Sequence, residues 1–208
     1  MSLQRQKLLV ANRGEIAVRI LRTAKRLQIP TIAVYTQADA TAPHVSLADE
    51  SIALRSEDLD PLSNSRGYLD AEAILDVCKS RGVTLVHPGY GFLSENASFA
   101  RSLEQAGITW LGPSADTIEL MGLKHAARAA AIEANVPVVP GSDGLVTDIE
   151  DAVSGARKIG YPVMIKSTAG GGGMGLVVCS DDQETLQKFH ATQERARVGH
   201  ESGATGIE

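Results

Sequence analysis

Lys166 stands at the entrance of a glycine run, Lys166-Ser-Thr-Ala-Gly-Gly-Gly-Gly-Met-Gly175, clamped between two short apolar stretches, residues 163–166 and 176–179. Glycines 170–173 and 175 remove every Cβ but one from the turn, so positive φ is accessible and consecutive backbone N–H groups can face one concave side. That surface suits a polyphosphate, and the lysine ammonium would add a full charge to the amide dipoles. A solvated linker would carry serine and glycine on both flanks, whereas here β-branched residues bracket the run. It is not a Walker A loop, because no Gly-Lys-Ser/Thr follows, and no helix opens directly after it as a dinucleotide fingerprint requires. The pattern predicts a strand, a glycine loop and a second strand, forming a flap over a nucleotide.

Two further stretches could carry chemistry. Lys124 opens the alanine-rich helical segment 124–134, where the helix dipole disfavours a cation; an anionic partner would explain the placement, and so would ordinary solvation of a surface lysine. His125 beside it reads as a surface or half-buried histidine. The segment His87-Pro-Gly-Tyr-Gly-Phe-Leu-Ser-Glu-Asn96 follows an apolar strand at the edge of an open α/β sheet where ligands usually sit. Its alternative role is a structural turn capped by Ser94 or Asn96.

The elements that must hold these residues follow from hydrophobic period. Residues 7–11 form a strand that turns through Asn12-Arg13-Gly14-Glu15 into a helix over 16–27, and residues 31–35 form the next strand, so the chain opens β–α–β with parallel pairing. A loop or short helix is expected over 39–49, a strand over 51–54, and a polar surface loop over 55–67. Helix 69–80, strand 83–86, helix 97–105 and strand 108–111 complete a doubly wound unit, followed by a short helix closing at Gly122. Two prolines and two glycines in 137–144 mark a boundary. Beyond it come a helix over 148–159, the glycine flap and a polar helix over 182–198; residues 199–208 are weakly patterned.

At 208 residues and 43% hydrophobic content the chain is globular and long enough for one full domain and part of another. Net charge is −5, with no block of Lys and Arg, which argues against nucleic-acid or membrane-surface partners. Cys78 and Cys179 lack metal-ligand spacing and read as reduced, buried thiols of a cytoplasmic protein. No stretch reaches the roughly 18 apolar residues of a membrane span.

Taken together the motifs resemble the biotin carboxylase component of biotin-dependent carboxylases, an ATP-grasp family. Those that carry the resemblance are Ala11-Asn-Arg-Gly-Glu-Ile-Ala17, His44-Val-Ser-Leu-Ala-Asp-Glu50, residues 87–96, Leu120-Met-Gly-Leu-Lys124, Val139-Pro-Gly-Ser142 and residues 166–175, in family order across almost the whole chain. Residues 121–128 and 166–175 look closest to the urea carboxylase and urea amidolyase branch, which tolerates an apolar residue at Met174 where other members usually carry arginine. The resemblance implies an α/β fold: a Rossmann-like pre-ATP-grasp domain with a parallel sheet over residues 1–122, a helical connection over 123–136, and an incomplete ATP-grasp lid subdomain over 137–208. It further implies that Lys124 and Lys166 contact nucleotide phosphates, that Gly172 and Gly173 close over them, and that the 87–96 loop faces the active centre. The implied reaction uses ATP and bicarbonate, through carboxyphosphate, to carboxylate biotin at a ureido nitrogen.

Residues 206–208 resemble the start of the family's adenine-contacting strand. The magnesium-binding acids, the catalytic arginine and the bicarbonate and biotin contacts are then expected beyond Glu208, so this chain is expected to be the N-terminal part of a biotin carboxylase, with a homodimer or a carboxyltransferase domain as possible partner. A non-catalytic remnant or interaction module retaining the fold is the alternative. Another ATP-grasp ligase would share the glycine loop but would leave the 87–96 segment unexplained.

Overall fold

The computed structural model describes residues 6–54, 64–142, 144–167, 176–199 and 205–207. The chain divides into two compact units, Met1–Glu119 and Leu120–Glu208.

The first unit is built on a five-stranded parallel sheet. Its strands are β1 (Leu8–Val10), β2 (Thr31–Tyr35), β3 (Glu50–Ala53), β4 (Leu85–His87) and β5 (Thr109–Trp110), in the order β3-β2-β1-β4-β5. Every residue of β1 is buried, as the central position of a parallel sheet covered on both faces demands. Alternation sorts the side chains. Leu8, Val10 and Ala33 pack with Ala17, Ile20, Leu21 and Ala24 of helix α1 (Gly14–Arg26) on one face. Leu9, Ile32, Val34 and Val86 face the other way, against Ile74 and Cys78 of α4 (Ala71–Ser80) and Phe99 and Leu103 of α5 (Ala97–Gln105). Helices on both faces of a parallel sheet are the doubly wound arrangement that the sequence pattern predicts.

Several boundaries differ from the expected ones for identifiable reasons. The fourth strand runs Leu85–His87 rather than 83–86, because β1 sets the register: Leu8 lies opposite Leu85 and Val10 opposite His87. Val83 instead donates its N–H to the Cys78 carbonyl, closing the end of α4. The 39–49 region resolves into a 3-10 turn at Gln37–Asp39 and α2 (Pro43–Leu47). Residues 55–63 lie outside the described residues, but the rest of the expected surface loop is helical, α3 (Asn64–Leu69), and it ends in the core, where Tyr68 is 1% exposed. Gly67 lets that segment approach, since a Cβ there would stand 2.7 Å from the Thr36 methyl. Helix α4 begins at Ala71 because Asp70 caps it, accepting the Ala73 N–H at 2.9 Å.

Helix α6 (Ala115–Gly122) runs across the boundary at Glu119, and α7 (Lys124–Glu133) follows with none of its residues buried. The core of the second unit lies between α8 (Ile149–Ile159), α9 (Asp182–Gly199) and a three-stranded sheet of β6 (Val163–Ser167), β7 (Leu176–Cys179) and β8 (Thr205–Ile207), ordered β7-β6-β8. Both pairings are antiparallel, so β6 and β7 form the expected strand pair around the glycine run. The weakly patterned C-terminal residues supply β8, which is too short to show a period. Ala152, Ala156, Val163, Ile165, Cys179 and Phe189 make the core of this unit. Both cysteines are free and buried, and no helix among the described residues is long and apolar enough to cross a membrane.

The cap on α4 can be checked by substitution. Asp70→Ala should lower the urea unfolding free energy by about 1 kcal/mol, whereas Asp70→Asn should retain most of it. Equal loss in both variants would mean that the carboxylate charge, and not the cap bond, stabilises this helix.

Candidate functional site

In the first unit the chain leaves β1 towards one side of the sheet and β4 towards the other, which makes the β1–β4 boundary the point where strand order reverses. Open α/β sheets bind ligands outside the carboxyl ends of such strands. Residues 11–15 follow β1 there, and residues 88–92 follow β4. The two segments are tied together: the Ala11 N–H donates to the His87 carbonyl at 2.9 Å, extending the ladder past the strand end. Asn12, 2% exposed, donates its side-chain amide to the carbonyls of Pro88 at 2.6 Å and Tyr90 at 2.8 Å. The Gly89 N–H donates to His87 Nδ1 at 3.0 Å, and burial lowers the histidine pKa, with the Arg19 charge adding to it. Nδ1 is therefore the unprotonated nitrogen of a neutral ring. The loop's backbone is unusual, with Gly89 at φ +68, Gly91 at +70 and Phe92, not a glycine, at +44. Tyr90 stands out from it, 63% exposed, with its hydroxyl 3.3 Å from Glu15.

Arg13 is oriented from behind. Its Nε and Nη2 donate to the two oxygens of Asp39 at 2.6 Å each, a bidentate pair whose carboxylate is nearly buried and whose guanidinium is half exposed. The Tyr68 hydroxyl donates to the same carboxylate at 2.8 Å. Hydrogen bonding to Arg13 holds the Asp39 carboxyl below its usual range despite burial. Burial, reinforced by the bond to Asp39, pushes Tyr68 up to about 12. Next to this group lies His44, fully buried, whose ring nitrogens make no hydrogen bond of full geometry among the described residues. Burial depresses its pKa and outweighs the opposing pull of Asp39.

The second unit contains both sequence-predicted lysines. On β6 and β7 side chains alternate, so Val163, Ile165 and Cys179 face the core, while Met164 opposite Val178 and Lys166 opposite Leu176 face away from it. Leu176 is 41% and Val178 50% exposed, leaving an apolar strip beside the Lys166 amine. Lys124 is the first residue of α7, and no side chain caps that helix. Gly172 and Gly173 lie outside the described residues. Among the described residues no group of three or more His, Cys, Asp and Glu side chains could hold a metal ion.

Of the two roles open from sequence for the 87–96 segment, the structure shows the structural one. Asn96 caps α5 by accepting the Phe99 N–H at 2.8 Å, while residues 88–91 stand at the sheet edge. Sequence reasoning did not isolate Asn12, Asp39 or the Met164–Leu176–Val178 strip. Both segments are apolar almost throughout, so the strip emerges only from the strand pairing; the Asn12 and Asp39 contacts span 76 and 26 residues and leave no local signal.

Comparison with known proteins gives two family matches: "Biotin carboxylase, N-terminal domain" over residues 4–118 and "Carbamoyl-phosphate synthase L chain, ATP binding domain" over 124–208. The chain is 50% identical to a putative urea carboxylase of Emericella nidulans over 97% of its own length and 16% of that protein's. It is 46% identical to biotin carboxylase 1 of Bacillus subtilis, covering 98% of this chain and 44% of the relative. Among solved structures, the dimeric biotin carboxylase domain of Hydrogenobacter thermophilus 2-oxoglutarate carboxylase, in complex with MgADP, ADP and bicarbonate, superposes with a TM-score of 0.87 at 43% identity, over 98% of this chain and 44% of that one. A biotin carboxylase–β-γ-ATP complex from Campylobacter jejuni gives 0.88 at 36% identity with the same coverage. The chain thus spans less than half the length of these relatives.

The Arg13–Asp39–His44 cluster makes stability depend on pH. His44 has a folded pKa below its ordinary 6.5, so the unfolded chain takes up a proton first; the stability from neutral His44 is complete above 6.5 and is lost as pH falls below it. Asp39 acts lower, its contribution present above 3.8 and lost as pH drops through its depressed folded value. Thermal denaturation from about pH 8 to about pH 5 should show a falling Tm in the parent and a flatter profile in His44→Phe. Parallel profiles would refute this assignment.

Proposed function

The chain belongs to the biotin carboxylase family, and we propose that it provides the first domain and part of the nucleotide-binding unit of an enzyme that uses ATP and bicarbonate to carboxylate biotin. The observation that carries this reading is the outward face of β6 and β7, where Lys166 stands beside an apolar strip of Met164, Leu176 and Val178. A planar base on the strip and a phosphate chain at the amine would use both surfaces at once.

In this reading a bicarbonate oxygen attacks the γ-phosphorus of ATP, the bond between that phosphorus and the bridging oxygen breaks, and ADP leaves with the electron pair. The bond between the carboxyl carbon and the phosphate oxygen of the resulting carboxyphosphate then breaks, a biotin ureido nitrogen bonds to that carbon, and the nitrogen's proton leaves with the departing phosphate. Phosphoryl transfer asks of a protein mainly positioning and charge neutralisation. Lys166 and Lys124 supply positive charge to the phosphates, and the backbone amides of Gly172 and Gly173 close over them. In the first unit, the 87–96 loop at the carboxyl edge of the sheet is the segment proposed to meet substrate. Magnesium and biotin belong to this reaction, and a homodimer or a carboxyltransferase domain belongs to the assembly. Support comes from relatives whose solved structures hold MgADP, an ATP analogue and bicarbonate, one of them as a dimer.

Assignment to the urea carboxylase branch is supported by the identity to the Emericella protein across 97% of the chain, and by Met174 in the glycine run. A cytoplasmic location is supported by the two free, buried thiols.

Calorimetric titration tests the nucleotide assignment. The parent chain should bind ATP, and Lys166→Ala should weaken binding by about 1.5–3 kcal/mol, because one charge-assisted contact is lost. Its melting temperature should hardly move, since Lys166 faces away from the core. Unchanged affinity together with a large drop in melting temperature would make Lys166 a structural residue and remove the central support.

A further inference from the structure

We propose that Asn12 is a positioning residue for the carboxylation reaction: its buried amide fixes the 88–91 loop and thereby the place of Tyr90 at the carboxyl edge of the sheet. The inference deepens the proposed function and rests on it. Three polar contacts define the Asn12 side chain. Both amide hydrogens are used, towards Pro88 and Tyr90, and Oδ1 accepts the Arg13 N–H at 2.8 Å. The opposite amide orientation would set an oxygen against two carbonyls and an NH2 against an N–H, so only one orientation is compatible with these neighbours. An amide that meets two carbonyls two residues apart selects one loop conformation.

The loop has been shaped to receive this contact. A Cβ at Gly89 would lie 2.7 Å from Asn12 Nδ2 and 3.1 Å from Ile16 Cγ1, and its φ of +68 disfavours any other residue. Phe92 is held at φ +44, a conformation that costs free energy and persists only where surrounding contacts impose it. Tyr90 itself is mostly solvated, so burial of its own ring does not hold the loop. What is held in place is an aromatic group at the reversal of strand order, where a substrate would arrive. Lys124 and Lys166, the groups proposed to hold the nucleotide, belong to the other unit.

The test is steady-state kinetics of a full-length biotin carboxylase carrying this segment, with Asn12→Ala and, independently, Gly89→Ala, which pushes the loop off Asn12 while keeping the amide. Each should lower kcat by about 10- to 100-fold, as expected for displacement of a reacting group's surroundings by about 1 Å. The KM for ATP and the melting temperature should change little. Amide exchange in this chain should accelerate at Gly89 to Gly91 but not in β1 or β4. Undiminished kcat with a loosened loop would overturn the proposal, and so would a loss of kcat matched by equal loss of ATP affinity and of protection throughout the unit. If the parent enzyme shows no bicarbonate-dependent ATP turnover, the proposed function fails instead, and exchange at Gly89 to Gly91 still decides whether Asn12 holds the loop.

Discussion

The pairing of β1 with β4 is the constraint from which the first unit's organisation follows. Those strands lie in register from Leu8 and Leu85 to Val10 and His87, and the ladder runs one bond further, from Ala11 to the His87 carbonyl. A parallel strand covered on both faces has to be apolar throughout, which accounts for the completely buried β1. Because the register is fixed, Asn12 and the 88–90 backbone must emerge side by side, and an amide can bridge them. Without that pairing the same residues would be two unrelated turns. Arg13 depends on it as well, since its own N–H is held by Asn12 Oδ1 while its guanidinium is held by Asp39.

A simpler constraint governs the second unit. In a strand successive side chains point to opposite faces, so a buried Val163 and Ile165 force Met164 and Lys166 to the other side. Antiparallel pairing then brings Leu176 and Val178 beside them. One lysine in an otherwise apolar strip is a recognisable arrangement for a ligand with a flat apolar part and a charged part. Had the register slipped by one residue, Lys166 would point towards Phe189 and the core, where its amine would lose its hydration.

How much of this was legible in the sequence depended on range. Strands and helices with a clear period were placed to within a residue or two, and α5 was found at its observed ends. The short pieces were harder. β8 has three residues, and α3 lies in a stretch of Asn, Ser and Gly that favours turns; it is helical where Tyr68 is drawn into the core beside Asp39. Long-range polar pairs were invisible: nothing near Asp39 announces Arg13 or Tyr68. Lys166 was singled out because a glycine run is a local signal and Lys124 because it opens a helix, whereas Asn12 lay within a recognised motif without a role that its neighbours in sequence could assign.

In the proposed complex a nucleotide occupies the outward face of β6 and β7, with its base on the apolar strip and its phosphates at Lys166. Photolabelling with an azido-substituted adenine nucleotide, followed by peptide mapping, reads that placement directly. Label is expected on peptides containing Met164, Leu176 or Val178, suppressed by competing ATP. Label confined to the first unit, or label on these strands that ATP does not suppress, would contradict it.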